Sequence, residues 1–483
     1  MASIENYENK LQDHENQAFF ARLDTDLQEF IRERAKKYRF TFQELKLVCE
    51  AAADLQMWGE PPLAERWERE EAALESLGKL SKKHLLPKIQ DWLQSLRRGA
   101  KSYPERKSQT PKPETLKLTT HSSDKNIVGR CPVASDETVC CNLHTIDAVE
   151  NCGFGCNYCT IQTFYDNQVL FDSKLSEKLR NLDLDPDRFY HLGTGQSSDS
   201  LMWGNQHRIL DSLRDFAVEN PNVLLELKTK SKNVAYFLGK DIPRNLVLSW
   251  SLNTATIIEN EEHFTASLDE RLAAARSVAD RGIKIAFHFH PMVYYRDWRE
   301  DYGDLALQVM ARFAPEEVAF ISFGSVTFIK PIVKAIRERG RPTKMLQMEL
   351  VPGPKGKLSY PDIIKREQFR HIYTSFAPWQ DQVYMYLCME KAELWQSTFG
   401  FVYGSNDEFE ADFGEKVLEK LNVAHQTIPV TPTAGSPATV SQGRSAPRKG
   451  LRSSTQITGE APVEASASPR WDTPTRRGRS SKT

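Results

Sequence analysis

Residues 223–230 read VLLELKTK, and their alternation decides the fold. Successive side chains on a strand face opposite ways, so Glu226, Lys228 and Lys230 share one face and Leu225 and Leu227 the other. The division recurs downstream. In LSWSLN, residues 248–253, Ser249, Ser251 and Asn253 oppose Leu248, Trp250 and Leu252; in AFHFHP, residues 286–291, His288 and His290 oppose Phe287 and Phe289. Strands are expected at about 146–149, 188–192, 223–229, 246–253, 283–291 and 318–323, and helices at 207–218, 268–280, 302–313 and 332–339. Such alternation is the mark of βα units around a parallel sheet. Six units fall short of the eight that close a full barrel, so the expected fold is α/β, an open partial (β/α)6 TIM-like barrel. Its apolar faces would meet the helices, leaving a polar lumen that implies a bound cofactor and substrate. An antiparallel sheet with one wetted face is the alternative.

Outward from this core, residues 1–101 repeat apolar side chains at three and four, as in FTFQELKLVCEAAADLQMW, and read as a helical domain. Residues 102–130 include the proline-bearing SYPERKSQTPKPETLKL and read as a linker, with the barrel and a C-terminal extension over 131–424. Residues 425–483 carry nine Lys or Arg against three Asp or Glu and almost no large apolar residues. They read as a disordered basic tail, either touching nucleic acid weakly or solvated without a partner. Overall, 64 Lys+Arg balance 65 Asp+Glu, so net charge supplies no general pull toward polyanions. With 40% hydrophobic residues the chain is neither collagen-like nor wholly disordered. No long apolar run and no basic-then-apolar leader in MASIENYENKLQDHENQ point to a cytoplasmic protein that does not engage a membrane.

Six of the eight cysteines fall between Cys131 and Cys159, a clustering that suggests metal rather than disulfides. Within NCGFGCNYCTIQ, Cys152, Cys156 and Cys159 are spaced C-x3-C-x2-C directly after the first expected strand. Three soft thiolates on one loop suit three irons of a 4Fe-4S cube and leave the fourth open to a small chelating molecule. Gly153 and Gly155 would let the loop curl. The alternative is a structural zinc site in a non-catalytic nucleic-acid-binding protein, with Cys131, Cys140 or Cys141 as the fourth ligand.

This loop resembles that of the radical S-adenosylmethionine (SAM) superfamily. CGFGCNYCTIQ, GQSSD, LKTKS, LSWSLN, SLDERLAAARSVADRGIKIAFHFHP and GKLSY resemble, in that order, segments of the spore photoproduct lyase-like, or DNA-repair-photolyase-like, group. The resemblance implies a lyase-like enzyme in which Cys152, Cys156 and Cys159 ligate a 4Fe-4S cluster. Its open iron would chelate SAM, which reduction cleaves to methionine and a 5'-deoxyadenosyl radical. Ser198, Lys230 and Ser251 match positions that hold SAM, Gly193 and Thr194 begin the turn that offers backbone to its amino group, and Asn253 and His290 end lumen strands nearby. It further implies an electron donor such as flavodoxin or ferredoxin, and nucleic acid carrying a DNA lesion as substrate. Lys355 and Lys357 would touch phosphates and Tyr360 would stack on a base, with an exposed basic turn as the alternative reading of that segment. The group's hydrogen-return route is incomplete here. Gln196 stands in place of a cysteine and Thr160 in place of a tyrosine, while Tyr158 is kept as a candidate relay. Cys388, in VYMYLCMEKAELW, is read as a packed residue or a replacement hydrogen donor.

Overall fold

The structure is a computed structural model that describes residues 11–422 apart from 14, 17–19, 105–114, 132–134, 136 and 166. The expected basic tail lies outside the described residues. The described residues belong to one compact unit.

Eight strands make the central sheet: β1 (Val128–Arg130), β2 (His144–Ile146), β3 (Tyr190–Thr194), β4 (Val223–Thr229), β5 (Leu246–Leu252), β6 (Ile285–Met292), β7 (Val318–Ser325) and β8 (Tyr384–Leu387). They lie side by side in chain order from β1 to β8, every pair parallel except β1 with β2. All six expected strands are present, as a curled open barrel. The first was placed too far along: His144–Ile146 joins the sheet, while Val149–Glu150 pairs with Gln168–Asp172 in a small separate sheet. Two edge strands escaped the sequence reading. β1 lies in the stretch read as linker, which also contains the strand Lys117–His121, and β8 was read only as a packed aromatic run. Both are short, and neither shows the alternation of a half-buried strand.

Helices cover the outer face. α5 (Ile209–Glu219) packs on β4, α6 (Leu268–Ala279) on β5 and α10 (Asn406–Lys420) on β7 and β8. α6 begins with a capping box, Ser267 Oγ accepting from the Glu270 N–H at 3.3 Å and Glu270 accepting from the Ser267 N–H at 3.0 Å. α10 also seals the gap that the incomplete barrel leaves. Its Phe413 ring lies 5.1 Å from His191 on β3, 5.3 Å from Phe320 on β7 and 5.6 Å from Tyr386 on β8.

The alternation assigned to β4, β5 and β6 holds. Trp250, Phe287 and Phe289 are buried on the apolar side, and Glu226, Ser249, His288 and His290 of the polar set meet in one hydrogen-bonded network on the lumen floor. Glu226 accepts from Ser249 Oγ at 2.5 Å, from His191 Nε2 at 2.9 Å and from His288 Nε2. His288 Nδ1 is 2.5 Å from Ser322 Oγ, which is 3.1 Å from His290 Nε2. With Glu226 anionic, this pattern assigns the protons: each imidazole donates through Nε2, and the Ser322 hydroxyl donates to His288. Burial raises the Glu226 carboxyl, but His288 and His191 outweigh it and hold the group well below the usual carboxylate range. Burial, with Lys228 adding, brings His288 down to about 4, so it is neutral near pH 7.

A buried carboxylate helps dock the amino-terminal helices on the barrel. α1 (Thr25–Tyr38), α2 (Phe42–Trp58), α3 (Leu63–Ser76) and α4 (Lys82–Arg98) pack around Trp58 and Trp67. Asp54 of α2, with no solvent exposure, accepts two bonds from Arg337 of α8 (Lys330–Arg339), at 2.7 and 2.9 Å, and a third from Arg97 of α4 at 3.0 Å. Asp54→Ala removes the acceptor shared by two partly buried guanidinium groups, leaving Arg337 with Glu50 at 3.4 Å, and is expected to cost about 3 kcal/mol, read as a lower urea midpoint. The lumen floor predicts the acid limit. His288 has a folded value near 4 against 6.5 when free, and Glu226 is likewise depressed. In both cases the unfolded chain binds the proton first, so stability is full above about pH 6.5 and falls as pH drops toward 4. Urea midpoints measured across that range should decline, and a flat profile would contradict the network.

Candidate functional site

The cysteine loop leaves the sheet after β2 and turns at Asn151, which holds φ 76. Its side-chain oxygen accepts from the Cys152 N–H at 2.8 Å, and its Nδ2 donates to Gln168 O at 2.9 Å. Gly155 and Cys156 then pair antiparallel with His263 and Glu262, and the Cys159 N–H returns to Cys156 O at 3.1 Å. The curl expected of the loop glycines is thus supplied by Asn151. Gly153 and Gly155 serve packing: an added Cβ would meet Met202 at 2.5 Å and Phe264 at 3.1 Å respectively.

Two adjacent carboxylates fasten the loop from outside. Buried Glu261 accepts from Asn157 Nδ2 (2.8 Å), the Tyr103 hydroxyl (2.8 Å), Thr343 Oγ1 (2.6 Å) and the Lys344 N–H (2.9 Å). Glu262 accepts from the Tyr158 phenol and, at 2.6 Å, from Arg271 Nη2. Arg271 is fully buried and also donates to Ser251 O at 2.8 Å and Ala266 O at 2.9 Å. One guanidinium therefore ties the end of β5 to the cysteine loop. Burial opposes ionisation of Glu262, yet Arg271 and Lys230 outweigh it and keep the carboxyl below its ordinary range. Burial and Glu262 raise the Tyr158 phenol well above its ordinary value, so it stays protonated.

The turn after β3 is built around Gly195, at φ 101, where a Cβ would lie 2.8 Å from the Lys228 carbonyl oxygen. Only glycine fits there without displacing β4. Thr194 Oγ1 meets Ser200 Oγ at 2.6 Å, and Ser198 Oγ accepts from Trp203 Nε1 at 2.9 Å. Buried Asp199 accepts from Thr229 Oγ1 (2.8 Å), the Lys230 N–H (2.6 Å), and the N–H groups of Leu201 and Met202 (3.0 Å each). It thereby fixes the backbone from which Lys230 projects, with Nζ 5.8 Å from the Tyr158 ring centre.

The structure brings Cys152, Cys156, Cys159, Tyr158 and Lys230 together. The three thiols lie within electrostatic reach of one another, Lys230 is beside Cys156, and Cys152 Sγ is 3.8 Å from Met202 Sδ. Ser251 joins the group through Arg271, and the turn bearing Gly193, Thr194 and Ser198 stands at the end of the neighbouring strand. His290 faces the lumen network. Asn253 is committed elsewhere, accepting from the Tyr302 hydroxyl at 2.6 Å and donating to Pro291 O at 2.9 Å. Lys355 and Gly356, at φ 54 and 68, form the tip of a hairpin between strands Val351–Pro352 and Leu358–Ser359. Tyr360 is 1% exposed and its oxygen accepts from the Tyr294 N–H at 2.9 Å. The ring expected to stack on a base instead supports the hairpin from within. Cys388 follows β8 and neighbours Lys228 rather than the cysteine loop. The sequence reading overlooked Asp199, Glu261, Glu262 and Arg271, although Arg271 stands among Leu268, Leu272 and Ala275 on the apolar face of α6, where a charge signals a buried partner.

Cys152 neighbours Cys159, and Cys156 neighbours both, a set of three soft donors that fits a cluster with one open corner. Cys131, Cys140 and Cys141, the expected fourth ligands of a zinc site, neighbour one another and Cys388 instead. Among the described residues no helix is long and apolar enough to cross a membrane.

Residues 144–352 match the family model described as spore photoproduct lyase. Among curated relatives, a spore photoproduct lyase of Clostridium acetobutylicum is 27% identical over 92 residues, 19% of this chain and 27% of the relative. A second, of Geobacillus sp., is 23% identical over 210 residues, 42% of this chain and 62% of the relative. The chain thus spans less than two thirds of either. Solved structures of spore photoproduct lyase align over 56% of this chain and 81% of theirs at 19% identity, among them a complex with dinucleoside spore photoproduct (TM-score 0.49) and a mutant with bound AdoMet and the same dinucleoside (TM-score 0.48). Between residues 144 and 352, then, this chain is similar to spore photoproduct lyase, as its cysteine loop and the segments after it indicate.

Proposed function

We propose that the chain is a radical SAM enzyme of the spore photoproduct lyase type, acting on damaged DNA. The observation that carries this reading is the arrangement of three loop thiols beside Lys230, at the mouth of a lumen with a polar floor. Cys152, Cys156 and Cys159 would hold a 4Fe-4S cluster, and Lys230 with the turn of Gly193, Thr194 and Ser198 would hold SAM. When bound, these groups supply one-electron cleavage of a sulfonium, which starts hydrogen abstraction.

The chain's own residues prepare the site. Lys230 offers a point charge to a carboxylate, and Asp199 fixes the backbone that carries it. Glu262, paired with Arg271, keeps Tyr158 oriented and protonated against the loop. The relatives named above are spore photoproduct lyases, and two of the solved ones hold a dinucleoside lesion. The hairpin lysines Lys355 and Lys357 would contact phosphates, whereas Tyr360 supports the hairpin from within. Gln196, with no weakly held hydrogen, implies that the final hydrogen comes from another group than in the lyases.

Anaerobic protein reconstituted with iron and sulfide, then given dithionite and SAM, should release 5'-deoxyadenosine, with more formed when DNA containing the thymine dimer of spores is added. Replacing Cys152, Cys156 and Cys159 by alanine should abolish the product. Lys230→Ala should raise the SAM concentration for half-maximal release about 10- to 100-fold, the worth of one hydrogen bond to a charged group. Wild-type protein that binds a cluster yet never cleaves SAM would refute the assignment.

A further inference from the structure

The family match covers residues 144–352 and leaves the amino-terminal helices α1 to α4 outside it. The end of α2 shows where they bear on the barrel. Residues 57–62 read MWGEPP. Gly59, at φ 66, stops α2, and the Glu60 N–H returns to Leu55 O at 3.0 Å. The Met57 carbonyl would find its helical donor four residues on, but Pro61 has no N–H. The Thr343 N–H takes that place at 2.9 Å. Glu60, just past the turn, accepts from Lys344 Nζ at 3.3 Å and from Gln347 Nε2 at 2.8 Å, and the Lys344 and Glu60 side chains are only 14% and 22% exposed. The same two residues also bond the other way. Thr343 Oγ1 and the Lys344 N–H both donate to Glu261, at 2.6 and 2.9 Å. Glu261 in turn holds Asn157, between Cys156 and Tyr158: its carboxylate accepts from Asn157 Nδ2 and its backbone oxygen from the Asn157 N–H, each at 2.8 Å. Asn157 Nδ2 also reaches Pro342 O at 3.3 Å. Alongside, Arg337, bound to Asp54, belongs to α8, which packs on Thr160–Thr163, the turn straight after Cys159.

We propose that the amino-terminal helical domain positions the cysteine loop, with Glu60 and Lys344 as the positioning residues that carry its hold through Glu261 to Asn157. The function proposed above does not use the domain. The loop needs such a hold because its own strand pairing, Gly155 and Cys156 with His263 and Glu262, is only two residues long, too short to be rigid by itself. Ligands on a loop keep their geometry only where a rigid element supports them. α2 is such an element: Trp58, beside Met57, is 1% exposed in the core of the helical domain. Thr343 and Lys344 join the two, since each gives one donor to the end of α2 and another to Glu261. Both lysine contacts are needed. Without Nζ on Glu60, the Lys344 N–H still meets Glu261 but is no longer tied to the helices. That the positioned thiols carry a cluster rests on the reading given above, whereas the mechanical link does not.

Hydrogen exchange of the full chain before any iron is added, followed by mass spectrometry, tests the link. Glu60→Ala and Lys344→Met cut it from opposite sides and leave the Lys344 N–H in place. Each should speed exchange of a peptide spanning residues 151–163 about 10-fold, the equivalent of one hydrogen bond to a charged group lost from local closure. Lys344→Arg keeps the pair and should exchange as wild type does. After anaerobic reconstitution with iron and sulfide, the two cut variants should also show an altered electron paramagnetic resonance signal of the reduced cluster with SAM, and Lys344→Arg should restore it. Faster exchange throughout the chain identifies a variant that no longer folds, and the other variant then decides. Wild-type rates at 151–163 in the cut variants, or a cluster signal identical to that of wild type, would overturn the proposal. Protein that takes up no cluster at all would remove the function proposed above, while the exchange result would keep this inference standing.

Discussion

Arg271 has no access to water, and its bonds join parts of the site that are remote in sequence: Glu262 at the cysteine loop, Ser251 O at the end of β5 and Ala266 O ahead of its own helix. A buried guanidinium persists only where its charge is matched and its donors are occupied. Glu262 meets the first need, and carbonyls fixed by β5 and the start of α6 meet much of the second. The strand pairing of Glu262 with Cys156 passes that rigidity on to the thiols. Glu261 repeats the arrangement one residue earlier, joining Asn157 to Tyr103 and Thr343. A loop of nine residues from Asn151 to Cys159 is thus held at its turn, its middle and its outer side before any metal arrives.

The lumen is organised on the same principle at greater depth. Where a closed barrel packs branched aliphatics, this one buries an anionic carboxylate, three imidazoles and two serine hydroxyls, and each donor the network uses finds an acceptor. Such a network is costly unless complete, which explains why α10 presses Phe413 against His191 and shuts water out. Above the floor, Lys228 and Lys230 carry positive charge toward two separate groups of thiols. Polar strand faces therefore do two tasks, with hydrogen-bonded imidazoles securing the base and lysine side chains reaching toward the cysteines.

Much of this was legible before folding. Alternation in 223–230, 248–253 and 286–291 needs only the two-residue period of a strand, and the spacing of Cys152, Cys156 and Cys159 needs only a short loop. The helix expected at 268–280 is α6, Leu268–Ala279. By contrast, β1 and β8 are too short to carry a period, and their strand character comes from sheet partners found far along the chain. Tyr360 and Asn253 look like ligand-facing groups in a string of letters, yet the backbone N–H of Tyr294 and the hydroxyl of Tyr302 claim them.

Local chemistry was thus set by the sequence itself: which residues alternate, which sulfurs share a loop, which serine caps a helix. These depend on neighbours within a few positions, where covalent geometry alone dictates direction. Only the tertiary structure decided that Asp54 would anchor the amino-terminal helices to α8 and that Arg271 would reach the cysteine loop. Each of those joins residues whose separation along the chain carries no positional information until the chain folds.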